Sequence, residues 1–554
     1  MFDNTKPNVI LIGDRTDSVN MVKTLGPYKV ASVLRQAGFE VAVIHHASVF
    51  SLSELRHMLA ELISDQTLFV GINNFYYSDI NNFDIPSHTQ GLRLNKIQPG
   101  SILPHGKKYN KEIREYIRKL NPICKLVLGG AAADDLEHHS IFDYVVIGYA
   151  EISVLNLAQH LSDSSILLNK SYKSVYGPRI INDSKAEGYE FSNSRMQYAD
   201  HDAILPNETL TLEVGRGCIF KCAFCGYPMN GKKKLDFIRS KECLLEELLD
   251  NYNRFDTTRY LICDDTFNDS VEKCKMFYEV SQQLPFKLEY WAYIRLDLMT
   301  AHPETIDYLL DSGLRGLFCG VETLNDKTAS AVGKGGNRNR QLATVKRIKD
   351  QWGDQVGISA GFVFGLPYES VDSLKQTQEF LLSDDNPFDS VIASPLQIRP
   401  LNKNSTYDFL SDIDKNFEKY GYRDLGVYNP VAEHQESILD YEQGTMLWEN
   451  DFTNFLEAKK MIDDLEQRMA EDKNRRLPSH FAFYLAGGAA KFSDIQNKLY
   501  KDIDWHFLDK VKLIKAKQYK KLLFKGCGIS PYSKPDTKPV VTYSEWVKAG
   551  NAVG

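Results

Sequence analysis

The stretch VGRGCIFKCAFCGYP, Val214–Pro228, sets Cys218, Cys222 and Cys225 in one loop directly after an apolar strand pattern at Leu210–Val214. The chain has 9 cysteines, and the others (Cys124, Cys243, Cys263, Cys274, Cys319 and Cys527) are scattered singly. Scattered free cysteines read as small buried apolar side chains. A cluster in a chain too long for a disulfide framework points to metal or catalysis. Thiolates select zinc or iron–sulfur clusters. A structural zinc site pairs two ligand knuckles. No second C-x-x-C and no H-x₃₋₅-H pair occurs here, and the nearest upstream histidine, His201, stands alone. Three close thiolates suit three irons of a [4Fe–4S] cube and leave the fourth iron open to an outside ligand.

Working outward from the loop, strand and helix patterns alternate to about Pro400. Strands are expected at Leu210–Val214, Tyr260–Cys263, Glu289–Tyr293, Gly316–Cys319, Gly357–Phe364 and Ser390–Leu396, with helical stretches between them. Residues 209–400 are too few for the eight units of a full barrel, which take about 250 residues, so a partial (β/α)₆ barrel is expected. Upstream, Asn8–Gly13, Glu40–His45, Leu68–Ile72, Lys125–Gly129 and Tyr144–Ile147 alternate with helical patterns such as Pro27–Ala37 and a helix opened by the capping box Ser51 and Glu54. This predicts an α/β module over residues 1–162, Rossmann- or flavodoxin-like, with a parallel sheet covered on both faces. Tyr76–Lys108 reads as a long loop over the sheet's C-terminal edge, where such folds bind ligands. Residues 163–208 lose apolar periodicity and read as an irregular linker; residues 401–554 read as a mostly helical extension.

Composition limits the function classes. Of 554 residues, 43% are hydrophobic and 25% charged, which excludes collagen-like and globally disordered chains. Lys plus Arg number 66 against 73 Asp plus Glu, a net charge of −7, so nucleic acid is not an expected partner. No apolar stretch approaches the ~18 residues of a membrane helix, and the sequence MFDNTKPNVILIGDR is unlike a secretory leader. A cytoplasmic protein is expected. Lys232–Lys234 and the lysine-rich stretch Lys510–Lys525 read as solvated surface, and His45 with His46 as a strand-end pair.

The cysteine motif, with Phe224 before its third cysteine, resembles that of the radical S-adenosylmethionine (SAM) enzymes, and further motifs agree in order from about Leu210 to Pro400. LICDDTF (Leu261–Phe267) resembles the acidic second-strand segment of the cobalamin-domain branch. WAYIRLD (Trp291–Asp297), GLFCGVET (Gly316–Thr323) and SAGFVFGLPYES (Ser359–Ser370) resemble its third, fourth and fifth strands. The resemblance implies a [4Fe–4S] cluster on Cys218, Cys222 and Cys225, with SAM chelated to the open iron. It implies SAM contacts from Phe224, Asp264, Arg295, Glu322, Gly361, Val363 and Gly365, the glycines allowing close approach to the adenine. Gly26–Ile44, Lys125–Asp135 and Asp143–Leu157 resemble the cobalamin-binding-type domain that precedes many such cores. This chain departs from it in lacking D-x-H-x-x-G, and in reading Gly148-Tyr149-Ala150-Glu151 where G-E-G-E is typical.

The function implied is reductive SAM cleavage by the cluster and methyl transfer to an unactivated carbon, with cobalamin relaying the methyl group. Two alternatives stand beside it: a cobalamin-independent rearrangement, cyclisation or hydrogen abstraction, and a non-catalytic iron–sulfur or zinc sensor or assembly protein. A small-molecule substrate and a one-electron donor such as flavodoxin or ferredoxin are the expected partners. No residue is assigned to proton transfer.

Overall fold

The apolar runs of the N-terminal module are continuous rather than alternating, as in strands buried on both faces. The computed structural model describes residues 6–14, 21–73, 110–130, 141–173, 177–183, 188–335, 337–399, 410–428, 445–471, 476–487, 491–496, 498–502 and 505–531. In it β1 (Val9–Ile12) and β2 (Val41–Ile44) are buried throughout. Val9 and Leu11 face the helices Leu25–Gln36 and Glu151–Ser162; Ile10 and Ile12 face Leu52–Leu62 and Asn110–Leu120. Ser51 and Glu54 form the expected capping box. With β3 (Phe69–Asn73), β4 (Lys125–Gly130), β5 (Tyr144–Gly148), β6 (Ser171–Lys173) and β7 (Arg179–Asp183), the sheet runs β2-β1-β3-β4-β5-β7-β6. The first five strands are parallel and their order is the flavodoxin-like one.

Residues 163–208 differ from expectation. They supply β6 and β7, of which β7 extends the sheet in parallel from β5 and β6 closes its edge antiparallel. Ile180 and Ile181 are their buried apolar anchors, and the surrounding Ser, Asn and Asp of short edge strands conceal the pattern. The expected loop Tyr76–Lys108 lies outside the described residues.

The second sheet is the expected half-barrel. It holds β8 (Leu210–Leu212), β9 (Arg259–Ile262), β10 (Glu289–Ile294), β11 (Leu314–Glu322), β12 (Gly357–Phe364) and β13 (Ser390–Pro395), all parallel and in sequence order. The C-terminal region fills the barrel's interior. Trp291 Nε1 donates to Ser479 Oγ (2.9 Å), Ser479 Oγ donates to the Leu317 carbonyl (2.9 Å), and Phe481, Phe483 and Leu485 pack beside them. That region also carries an antiparallel hairpin, β14 (Arg423–Tyr428) and β15 (Thr445–Glu449), besides the helices Phe455–Glu471 and Trp505–Gly526.

The lysine-rich stretch is only partly the expected solvated face. Ala516, Tyr519, Leu523 and Phe524 of the helix Trp505–Gly526 join the apolar cluster under the N-terminal sheet, and Lys512 and Lys515 are buried. The Tyr519 hydroxyl donates to the His45 carbonyl at 2.6 Å. Among the described residues no helix is long and apolar enough to cross a membrane.

Candidate active site

β8 stops at Leu212, and the loop beyond it is braced by backbone bonds. The amides of Val214 and Gly215 each donate to the Asp264 carboxylate at 2.8 Å, and Lys273 pairs with Asp264 at 2.7 Å. Gly217 has φ +77°, and a Cβ there would lie 2.7 Å from the Met229 carbonyl, so the turn requires glycine. Gly231 donates to the Cys218 carbonyl (2.7 Å) and Ala223 to the Val332 carbonyl (2.9 Å).

These constraints present three thiols around one loop. Cys218 Sγ lies 3.3 Å from Thr266 Oγ1, and Cys222 Sγ lies 3.3 Å from the Arg295 guanidinium. Burial pushes the Cys218 and Cys225 thiols up, so a metal must displace protons to bind them. Three thiols on one loop are a donor set that suits a cluster, in which each thiolate takes a different iron.

Arg295 and Glu322 stand at the ends of β10 and β11. Arg295 forks onto Asp297 (3.0 and 2.6 Å) and lies 3.7 Å over the Phe220 ring. Glu322 has φ +67°, a left-handed backbone uncommon for a side chain of this kind, and pairs with Lys334 at 3.1 Å. Phe224 and Val363 are half-buried and pack against the barrel core.

Three other expected contacts are engaged otherwise. Asp264 is fully committed to the loop amides and Lys273, so it positions the cysteine loop. At Gly361 a Cβ would meet the Phe318 ring at 2.5 Å, and at Gly365, φ +91°, the Trp448 ring at 2.1 Å. The close approach these glycines permit is therefore taken by side chains of the protein itself. Glu369 accepts from the Gly365 and Leu366 amides (3.0 and 3.1 Å) and from Thr323. Burial pushes it up to about 7.

Between the loop and the N-terminal sheet lies a cavity of about 620 Å³. Gly71, Gly129 and Gly148 line it from the sheet's C-terminal edge, and Gly215, Gly217 and Gly226 from the loop. Its position beside the β1–β3 crevice is where this sheet order reverses direction. Sequence reasoning missed the charged residues that span it. Arg216, buried, donates to Glu151 (2.6 Å) and to Glu213 (2.8 and 2.9 Å), and its guanidinium lies 4.1 Å over the Tyr149 ring. Against the upward push of burial, Arg216 and Lys29 hold Glu213 down at about 2. Asp265 also lines the cavity, pushed up to about 6 by burial and by the neighbouring Asp264 and Glu213. Its buried Oδ2 has no hydrogen-bond partner among the described residues. The surviving acid of the Gly148–Glu151 turn and the second acid of LICDDTF were the available signals.

Two histidine and cysteine readings also resolve. His45 and His46 are wholly buried and are not among the residues that line the cavity. Thr24 donates to His45 Nε2 from its amide (3.1 Å) and contacts it through its hydroxyl (2.8 Å), while burial and Lys23 push His45 down to about 3. Cys124, Cys243, Cys274 and Cys319 are buried as expected, but Cys527 is half-buried and Cys263 is exposed on the cavity wall. The end of a barrel strand, rather than residue type, decides the exposure of Cys263.

Residues 212–381 match the family model of the radical SAM superfamily. No curated protein matches the chain. Among solved structures, it is similar to a radical S-adenosylmethionine methyltransferase, TsrM, from Kitasatospora setae, with cobalamin and [4Fe–4S] cluster bound. Identity is 14% over 92% of this chain and 99% of that one, with a TM-score of 0.55. The same protein with tryptophan substrate and a SAM analog bound matches at 14% identity over 93% and 98% of the two chains, with a TM-score of 0.56. At that identity the likeness is one of fold, and it spans both modules. Residues 212–381 are a radical SAM domain, and the chain that carries it is an enzyme.

Proposed function

We propose that this radical SAM enzyme is a cobalamin-dependent methyltransferase acting on an unactivated carbon of a small molecule. The carrying observation is the cavity of about 620 Å³ shared by the glycine-bearing sheet edge and the cysteine loop. A flat macrocycle needs backbone it can lie against, and Gly129 and Gly148 supply it among the apolar side chains of the sheet edge. The cavity faces the loop whose Cys218, Cys222 and Cys225 are the ligands of a [4Fe–4S] cluster in this reading. When bound, the reduced cluster supplies an electron to SAM and cobalamin carries the methyl group.

The chain's own residues bind and orient. In this reading Arg295 pairs with the SAM carboxylate and Glu322 with its amino group, with Phe224 against the adenine. Arg216, tied to Glu151, holds the loop at a set distance from the sheet edge. The unpartnered Asp265 oxygen accepts a hydrogen bond from an N–H or O–H of whatever enters the cavity. The tryptophan bound by TsrM supports a small molecule as substrate. A flavodoxin or ferredoxin delivers the electron, and the half-buried Cys222 leaves the loop within reach of a docked carrier.

The test is retention of cobalamin. Full-length protein loaded with iron and incubated with hydroxocobalamin should keep about one equivalent through gel filtration. Protein that holds iron and cleaves SAM but keeps no corrin would overturn methyl relay and leave a cobalamin-free radical reaction in its place.

A further inference from the structure

The base of the barrel, at the end of the strands away from the cysteine loop, holds a second cavity of about 850 Å³. Arg259, the first residue of β9, forms part of its wall. Lys521, Leu522 and Lys525 of the C-terminal helix line it too, as do Lys491 and Phe492, among uncharged residues that include Leu205–Asn207. Among the described residues no carboxylate lines it. We infer that this cavity binds a small organic phosphate.

Three observations carry the inference. Lys521 and Lys525 stand one helical turn apart, a like-charge arrangement that costs stability unless an anion sits between them. Neither they nor Lys491 forms an ion pair among the described residues, in a chain whose net charge is −7. Of the other lysines of the same helix, Lys520 pairs with Glu54 at 2.7 Å, Lys512 and Lys515 are buried, and Lys510 and Lys517 are exposed.

Arg259 is the second observation. It is 7% exposed, its Nη2 donates to Asn207 (2.9 and 2.7 Å), and its Nη1 lies 3.7 Å from Glu289. Its Nε is buried without a hydrogen-bond partner among the described residues, so the guanidinium gives this wall positive charge rather than a free donor. Phosphate oxygens are the acceptors that guanidinium and ammonium groups together recognise.

The third is shape. A concave cavity of this volume is in the range of small-molecule sites. Phe492 and Leu522 give it apolar walls that a bare ion would not use, which favours an organic body on the phosphate.

The ligand would bridge the C-terminal helix to the barrel, so binding should raise the melting temperature by mass action. Isothermal titration and thermal melts of the full chain would use ADP and inorganic pyrophosphate as probes, at low and high salt. Saturable, salt-sensitive binding is expected, tighter for ADP. It should weaken roughly tenfold or more in the Lys521→Glu, Lys525→Glu double variant. Lys491→Gln, on the opposite wall, should weaken it too and guards against a helix that fails to dock. Equal affinity for pyrophosphate would assign the site to the phosphate group alone and overturn the organic body. Binding absent altogether, or unchanged in both variants, would overturn the site. Binding lost in Gly129→Trp would move it to the upper cavity and overturn it likewise.

Discussion

Arg216 and Glu151 lie 2.6 Å apart, both buried, and join the cysteine loop of the barrel to the last β/α turn of the N-terminal sheet. One end of the bond belongs to each module, so the cavity's width depends on it. Arg216→Ala leaves Glu151 as an uncompensated buried carboxylate and Glu213 with Lys29 alone, and should destabilise the protein by about 3–5 kcal/mol. Glu151→Gln keeps Glu213 opposite the guanidinium and should cost less. Thermal melts of the two variants check the order, and equal melting temperatures would contradict it.

Replacing Cys218, Cys222 or Cys225 with Ala should each abolish iron binding, which in anaerobically reconstituted protein should reach about four irons per chain. Cys243→Ala and Cys527→Ala should leave iron unchanged. Iron analysis decides, and full retention in the Cys222 variant would remove the cluster from this loop.

Glu322→Ala should weaken SAM binding by about 1.5–3 kcal/mol, the contribution of one hydrogen bond to a charged group. Lys334 would lose its partner without leaving the site. Equilibrium binding of SAM to the reconstituted protein measures this, and unchanged affinity would place Glu322 outside the SAM site.

Gly129→Trp should block cobalamin retention while iron content stays normal. A Cβ at Gly129 meets only the Val146 carbonyl at 3.9 Å, so the fold tolerates a side chain there that then fills the cavity. Spectroscopic corrin content after gel filtration, set beside iron analysis, separates the two effects.

Glu369 supplies a pH signature. Burial raises its carboxyl from 4.5 to about 7, so the folded state binds the proton more tightly than the unfolded chain does. Its contribution is therefore a penalty, fully present above pH 7 and relieved as pH falls from 7 toward 4.5. Glu369→Gln, which keeps an oxygen for the Gly365 and Leu366 amides, should stabilise the protein at pH 8 by about 3 kcal/mol. The gain should fade by pH 5. Melting curves of both proteins across that range test the sign; a gain that grows toward pH 5 would reverse it.

The amino-acid sequence by itself determined the two parallel sheets and the cysteine loop. Continuous runs such as Val9–Ile12 and the C-x-x-x-C-x-x-C spacing are local signals, and local signals survive without knowledge of what packs on them. It did not reveal β6 and β7, whose apolar content is little more than Ile180 and Ile181. Nor did it reveal that Gly361 and Gly365 make room for Phe318 and Trp448, because neighbours distant in the chain occupy the space a missing Cβ leaves. The roles of the paired acids were likewise divided only in three dimensions: Asp264 turns to the loop amides while Asp265 is left unpartnered in the cavity. Arg216 could be read as one more surface cation until the N-terminal module supplied Glu151. Charges and glycines take their meaning from what faces them, and facing is set by tertiary packing of segments far apart in sequence.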